Sequence, residues 1–506
     1  MRRSIGILNL AAAAALTLAT SAPPLAAQTP PNLLEARQQL EARYAQSLEE
    51  LAGWCEAQGL TEQATQTRRA ARPRDPWTLY LVNLQSAETI HDGADPRVRQ
   101  WRERFAALGR HHAEGLLTLA RQAMRARHPS LAYELVLEMV RADPSSEEGR
   151  KLLGFIKYKG EWRTPFEVDK LKARYVWHER FGWLPQAHVA RYESGERYYN
   201  GRWITAEEEA QIRGDIRSAW HVQTEHYSIR TNHSLEAGVA LGQKLERLYR
   251  AWQQTFAPYY ASPDQLLRLF EGRSPNHRSS GPRHLVMHFR DRQQYLQALE
   301  GHVPPGVVTT GIYLGDYRTA YFYATEDADS TTFYHEASHQ LFSECREVAP
   351  NVGLRGNFWI IEGIACYLES FRPGAEYDLL GGTDSPRLEA ARRRALVDQF
   401  YVPLDQFVLY GMNDLQRDRR IAMLYSQAAG LAHFLMHYDD GRYRDALMSY
   451  LEAVYTGEDT PQTLAQLTGK SYVELDREYH QFLEELPRRE SAAANNTAAD
   501  QQSPPK

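Results

Sequence analysis

The stretch YHEASHQLF, Tyr334 to Phe342, decides how the rest of this chain is read. On an α-helix, residues four apart lie one above the other, with Cβ atoms about 6 Å apart. His335 and His339 would then offer two imidazoles to one metal ion. Glu336 falls about 100° round the helix from His335 and about 60° from His339. It borders the imidazole face without joining it, where a general base can meet a water held at a metal. Two ordinary histidines on a packed helix would give the same string. The neighbouring sequence has to supply the remainder of a site.

The preceding DADSTT offers Ser330, Thr331 or Thr332 as an N-cap, which puts His335 in the first turn or two of a helix. Ala337 and Ser338 are small and leave space beside the imidazole face, while Leu341 and Phe342 can pack behind. A catalytic zinc needs a third protein ligand and an open position. The HExxHxxGxxH spacing would require Gly at 342 and His at 345; Phe342 and Cys345 stand there and exclude it. A Glu returning on a second helix is the other arrangement. WIIEGIACYLES offers Glu362 after 22 intervening residues, and APNVGLRGN supplies the turn between. Ile360, Ile361, Ile364, Ala365 and Leu368 form the apolar stripe of that second helix. Glu362, Cys366 and Glu369 lie off the stripe and share another face. They are either solvated or turned to a metal, with Glu362 as ligand and Glu369 as the carboxylate behind a ligand. Gly363 and Ala365 permit a neighbouring helix to come close. Glu344 and Glu347, five and eight positions after His339, are poorly placed to close a site with both histidines.

HEASH followed by W-x-x-E-G-x-A-x-Y-x-E, Trp359 to Glu369, resembles the gluzincin clan of zinc metallopeptidases, the thermolysin-like and aminopeptidase-like group. It looks closest to the exported bacterial peptidase-MA-like domains, over roughly residues 223–486. The resemblance implies an α+β, predominantly helical fold. Its thermolysin-like catalytic domain would carry a small strand-containing part before the HExxH helix. It implies Zn2+ held by His335, His339 and Glu362, and peptide-bond hydrolysis by a zinc-bound water with Glu336 as general base. Glu369 would support the ligands from behind. Related aminopeptidases carry a Tyr at a distance comparable to that of Tyr425, 63 positions after Glu362, which implies Tyr425 as donor to the oxyanion. His433 is the second choice. Ile361 stands where the aminopeptidases usually have Asn, and their Gly-x-Met-Glu-Asn motif is missing; GMND at Gly411 does not match it. The resemblance extends to the zinc triad and not to aminopeptidase specificity.

Composition narrows the setting. The chain has 506 residues, 43% hydrophobic and 24% charged, with a formal net charge of −5 and no long basic stripe, which argues against a nucleic-acid partner. MRRSIGILNLAAAAALTLATSAPPLAA has the anatomy of a signal peptide over residues 1–27, so the protein is expected to be exported, periplasmic or secreted. No later run approaches the ~20 apolar residues of a membrane span. The three cysteines, Cys55, Cys345 and Cys366, make no disulfide framework. If one bridge forms, Cys345 with Cys366 is the favoured pair; free thiols fit equally well.

Residues 28–155 read as helical and include a tetratricopeptide-like hairpin with turns at His128-Pro129-Ser130 and Asp143-Pro144-Ser145, a surface on which protein partners could dock. Residues 156–222 carry two Trp-containing repeats, Tyr158 to Glu167 and Tyr199 to Glu208, 41 residues apart. Each reads as a Gly turn, a Trp, and a Thr cap with Glu three residues on. HYSIRT, HLVMHF and GIYLGDYRTAYFY read as strands, and Ser234 to Phe256 as a helix. His284 and His288 are also four apart, but on a strand that spacing is too long for one metal. Residues 487–506 read as a disordered tail. The expectation is an exported zinc peptidase acting on a peptide or protein. The alternative is a non-enzymatic exported scaffold whose peptidase-like domain is inactive.

Overall fold

Five short strands between residues 220 and 323 turn alternate side chains inward, as a period-two backbone requires. In this computed structural model, which describes residues 31–71, 75–82, 95–271, 282–303, 309–325, 330–375 and 377–487, they form one sheet. The order across it is Gly311–Leu314, Thr319–Tyr323, His284–Phe289, Tyr227–Thr231 and Trp220–Gln223. The central strand runs parallel to both neighbours, and the two outer strands run antiparallel to theirs. Val286 sits level with Ile229 on one side and Ala320 on the other, so one face is continuously apolar. The helix Leu235–Thr255, started by the Ser234 hydroxyl accepting from the Ala237 N–H, lays Leu241, Leu245, Leu248 and Trp252 into the same core. The helix Thr331–Glu344 adds Tyr334, Ala337, Leu341 and Phe342.

The second half is helical: Phe358–Leu368, Pro386–Leu396, Ile421–Gly441, Arg444–Thr456 and Tyr472–Glu485. The molecule is an α+β protein with small sheets, and about 61% of the described residues are helical. Among the described residues no helix is long and apolar enough to cross a membrane. The leader expected over 1–27 lies outside the described residues, as does the tail but for Pro487.

The N-terminal region holds the helices Pro31–Ala57, Thr61–Ala70, Pro96–Arg125 and Pro129–Ala142, as its periodicity predicts, and one element it does not. Thr78–Val82 is a strand and pairs antiparallel with Tyr377–Gly381, about three hundred residues on. Leu79 and Leu81 enter the main core. A buried charge network adds to the attachment. Glu134 accepts from Arg37 at 2.8 Å and from Arg444, and Asp445 accepts from the Ser130 N–H at 3.0 Å and faces His128 at 3.2 Å. Charges this deep are tolerated only when paired, so the network ties the helical region to the helix Arg444–Thr456.

Residues 156–213 contain three hairpins rather than two. Ile156–Tyr158 pairs with Glu161–Arg163, Tyr175–His178 with Gly182–Pro185, and Glu196–Tyr199 with Arg202–Thr205. Trp162, Trp183 and Trp203 recur every 20 or 21 residues, half the period seen in the sequence. The first and last hairpins turn on Lys159-Gly160 and Asn200-Gly201, all at positive φ, as the tightest hairpin turn demands. Both are followed by the predicted capping boxes, Thr164 with Glu167 and Thr205 with Glu208. The middle hairpin has a longer turn and no such box, which hid it from the comparison of repeats. Cys55, Cys345 and Cys366 are all free thiols, so the Cys345–Cys366 bridge is not made.

Candidate metal centre

His335 is the fifth residue of the helix Thr331–Glu344, and His339 lies one turn on. Ser330 occupies the N-cap position, though its side chain makes no capping bond. Tyr334, Ala337, Ser338 and Leu341 are buried, which turns the two imidazoles toward a partly exposed face. Their rings meet edge to face, 4.8 Å between centroids.

The chain then loops through 345–357 and returns. Asn357, in the left-handed conformation at φ 54°, fixes the start of the returning helix. Its amide donates to Asp459 at 2.6 Å, its carbonyl oxygen accepts from the Tyr450 hydroxyl at 2.6 Å, and its N–H donates to Val408 O at 2.8 Å. Helix Phe358–Leu368 is buried along its whole length, on every side. The apolar stripe is therefore only part of its buried surface, and Glu362, 6% exposed, is a core residue rather than a solvated one. Gly363 explains how a second helix covers that face. A Cβ there would stand 2.6 Å from the carbonyl oxygen of Ala428 on helix Ile421–Gly441.

These two helices bring three donors together. His335 Nε2 and His339 Nε2 are 3.1 Å apart, and Glu362 Oε2 lies 3.4 Å from the first and 3.6 Å from the second. Four ligands at the usual zinc bond lengths and tetrahedral angles stand about 3.3–3.6 Å apart. The triangle has that size, and two imidazoles with one carboxylate is a donor set zinc accepts, so the residues fit a zinc ion. Burial would push the Glu362 carboxyl up, but the two imidazoles beside it overcome this and hold it well below the usual carboxylate range. Glu362 is thus a carboxylate ready to serve as a ligand.

The other expected residues surround this triangle. Glu336 stays out of it and accepts a 2.8 Å hydrogen bond at Oε2 from the Tyr313 N–H of the sheet's edge strand. Burial raises its pKa against the lowering effect of both imidazoles. Glu369, just past the end of the helix Phe358–Leu368, meets His335 Nδ1 through Oε1 at 2.9 Å. Tyr425, on helix Ile421–Gly441, lies beside Glu362; burial first and then the Glu362 charge push its hydroxyl far up, so it remains a neutral donor. His433 is elsewhere. It is fully buried, with Nδ1 2.9 Å from Ala429 O and its ring against Tyr367, which removes it as an oxyanion donor. Glu344 is taken by His284 at 2.8 Å and by the Tyr313 hydroxyl and Gln340, both at 3.2 Å.

Three participants were not legible in the sequence: the Tyr313 N–H, Asn357 and Arg387. Arg387 donates through Nε to Glu369 Oε2 at 2.7 Å and through Nη2 to Oε1 at 2.9 Å. Nothing in PRLEAARRRAL distinguishes it from the other arginines of that segment. A second grouping, His335 Nδ1, Cys366 and Glu369, also brings potential ligands within 4.8 Å of one another. Its Glu369 is already engaged by Arg387 through both oxygens, and the Cys366 thiol is buried with its pKa pushed up, so the first grouping is the stronger metal site. A cavity of about 490 Å3 opens beside Glu369, lined among others by Lys244, Tyr334, Phe371 and Pro386. Compared with known proteins, the chain matches no protein-family model and no curated sequence.

Proposed function

We propose that this protein is an exported zinc-dependent peptidase of gluzincin type, acting on a peptide or protein substrate. The observation that carries the reading is the triangle of His335 Nε2, His339 Nε2 and Glu362 Oε2, with sides of 3.1–3.6 Å. Glu336 stands beside this triangle without being part of it. His335, His339 and Glu362 would hold the ion, which when bound supplies Lewis-acid chemistry, making water more acidic and polarising a carbonyl. Glu336 takes the proton from the attacking water. The Tyr313 N–H holds its Oε2, which leaves Oε1 to accept that proton. Glu336 then hands the proton to the departing amine. The Tyr425 hydroxyl donates to the oxygen that gains charge as water adds to the peptide carbonyl. Glu369 takes the Nδ1 side of His335 and so commits Nε2 to the ion. The imidazoles of His335 and His339 are partly exposed, and a substrate chain would approach from that side.

The test joins metal content to turnover. Purified protein is expected to carry close to one zinc per chain and to cleave members of a mixed peptide library, read by mass spectrometry. Chelation should abolish cleavage and added zinc restore it. Protein that neither retains nor rebinds zinc would overturn the reading in favour of the exported scaffold. Full zinc occupancy without cleavage of any peptide would leave a metal site without the peptidase.

A further inference from the structure

We propose that Arg387 is a positioning residue for the metal centre, acting through Glu369 to fix the imidazole of His335; this rests on the zinc reading above. Glu369 sits where its helix has just ended, and a Glu side chain there has three free torsions. One hydrogen bond to His335 would leave the carboxylate plane free to turn. Arg387 removes that freedom. Its planar fork engages both oxygens at 2.7 and 2.9 Å, and a bidentate guanidinium fixes a carboxylate plane as a single ammonium cannot. The fixed plane presents Oε1 to His335 Nδ1 at 2.9 Å. With Nδ1 committed as the donor, Nε2 is the free electron pair, aimed at His339 and Glu362.

Charge supports the same assignment. Glu336, Glu362 and Glu369 crowd around two imidazoles, and Arg387 is the cation paired with one of these carboxylates. Its own pKa is raised, chiefly by the hydrogen bond to Glu369, and it remains charged. The position of Arg387 is itself firm. It is the second residue of helix Pro386–Leu396, which Ser385 caps and which packs along the Tyr425-bearing helix Ile421–Gly441. Arg394, further along the same helix, donates to Ala422 O and Ser426 Oγ of that neighbour. Two of the arginines on this helix thus reach different targets. Arg394 only fastens helix to helix, whereas Arg387 reaches a carboxylate that holds a ligand.

That pair supplies the experiment. Zinc affinity is measured by chelator competition, and thermal stability is measured on the metal-free protein, for wild type, Arg387→Ala, Arg387→Lys, Arg394→Ala, Glu369→Gln and the double variant Arg387→Ala/Glu369→Gln. Arg387→Ala is expected to weaken zinc binding about 10-fold, at the lower end of the range for partners behind a ligand. Arg387→Lys should recover only part of this, since it restores the charge but not the fork. Arg394→Ala should lower stability and leave zinc affinity within about twofold, because its bonds go to Ala422 and Ser426 and not to a carboxylate behind a ligand. The double variant should bind zinc about as well as Glu369→Gln alone, because Arg387 acts through Glu369. Additive losses would overturn the proposal, as would equal zinc affinities for Arg387→Ala and Arg394→Ala. If Arg387→Ala does not fold, Arg387→Lys decides: zinc affinity equal to wild type overturns the proposal. A wild-type protein without zinc affinity would instead overturn the zinc reading itself.

Discussion

The helices Thr331–Glu344 and Phe358–Leu368 meet at one candidate metal centre but reach it by different physics. The first keeps its imidazole face partly exposed. His335 and His339 converge because helical geometry stacks residues four apart, whatever surrounds them. The second is buried on every side, and its single donor to the triangle, Glu362, is a carboxylate inside an otherwise apolar helix. Nothing local directs Glu362 toward the histidines. The turn through 345–357, the clamp on Asn357 and the close approach at Gly363 do so. A buried carboxylate is costly unless partnered, and the two imidazoles are its partners. The first helix therefore carries donors that local geometry brings together, and the second carries a donor that only the assembled core can aim.

The largest expected effect sharpens the contrast from the side of the first helix. Glu336→Gln keeps the shape of the side chain but cannot accept a proton. Turnover on a cleaved peptide should fall on the order of 10²–10⁴-fold, the range for losing a general base. Zinc content by elemental analysis should stay at the wild-type level, because Glu336 lies outside the donor triangle. Activity within a few-fold of wild type would take Glu336 out of the mechanism.

The second helix is broken at Glu362. The periodicity of its sequence predicts that Glu362→Ala opens no core cavity. Burial corrects this: the variant loses a ligand, leaves a void in a packed helix, and leaves two imidazoles without their carboxylate. Zinc affinity should drop on the order of 100-fold or more, beyond the loss typical of a group behind a ligand. Metal-free stability should change as well, and Glu362→Gln, which keeps the volume, separates the two effects. Glu344→Ala is the matched control, because Glu344 serves His284, Tyr313 and Gln340 instead. Should Glu344→Ala release zinc while Glu362→Ala retains it, the two-helix site would have to be redrawn.

The smallest effect probes how the second helix is aimed. Gly363→Ala places a Cβ 2.6 Å from Ala428 O, closer than a carbon and an oxygen can stand. The helices must separate, at a cost of about 1–3 kcal/mol in unfolding free energy by denaturant titration. Because Glu362 is the adjacent residue, zinc affinity should fall in the same variant. Unchanged stability would mean that the helix pair has slack, and that the approach at Gly363 does not aim the ligand.

Much of this centre was legible beforehand, for reasons that differ from residue to residue. HExxH was readable because a helix repeats every 3.6 residues. Glu362 was readable through the spacing of a second motif, though its burial was not, because an apolar stripe records only the strongest face of a helix. The capping boxes at Thr164 and Thr205 were readable because a cap is complete within four residues. The strand Thr78–Val82 went unseen, since its partner lies at Tyr377–Gly381 and no turn joins them. The middle hairpin went unseen because it keeps the fold of its neighbours without their side chains.

The sequence by itself determined the helical spacing, the capping boxes at Thr164 and Thr205, the paired imidazoles and the carboxylate beside them, because each depends on residues within a few positions of one another. Only the tertiary structure decided that Glu362 Oε2 closes a triangle with the two Nε2 atoms. It also decided that Tyr313 holds Glu336, that Tyr425 and not His433 faces the site, and that Arg387 grips the carboxylate behind His335. These contacts join segments tens of residues apart. Their geometry is set by how closely helices and sheet can pack, which no single segment of sequence records.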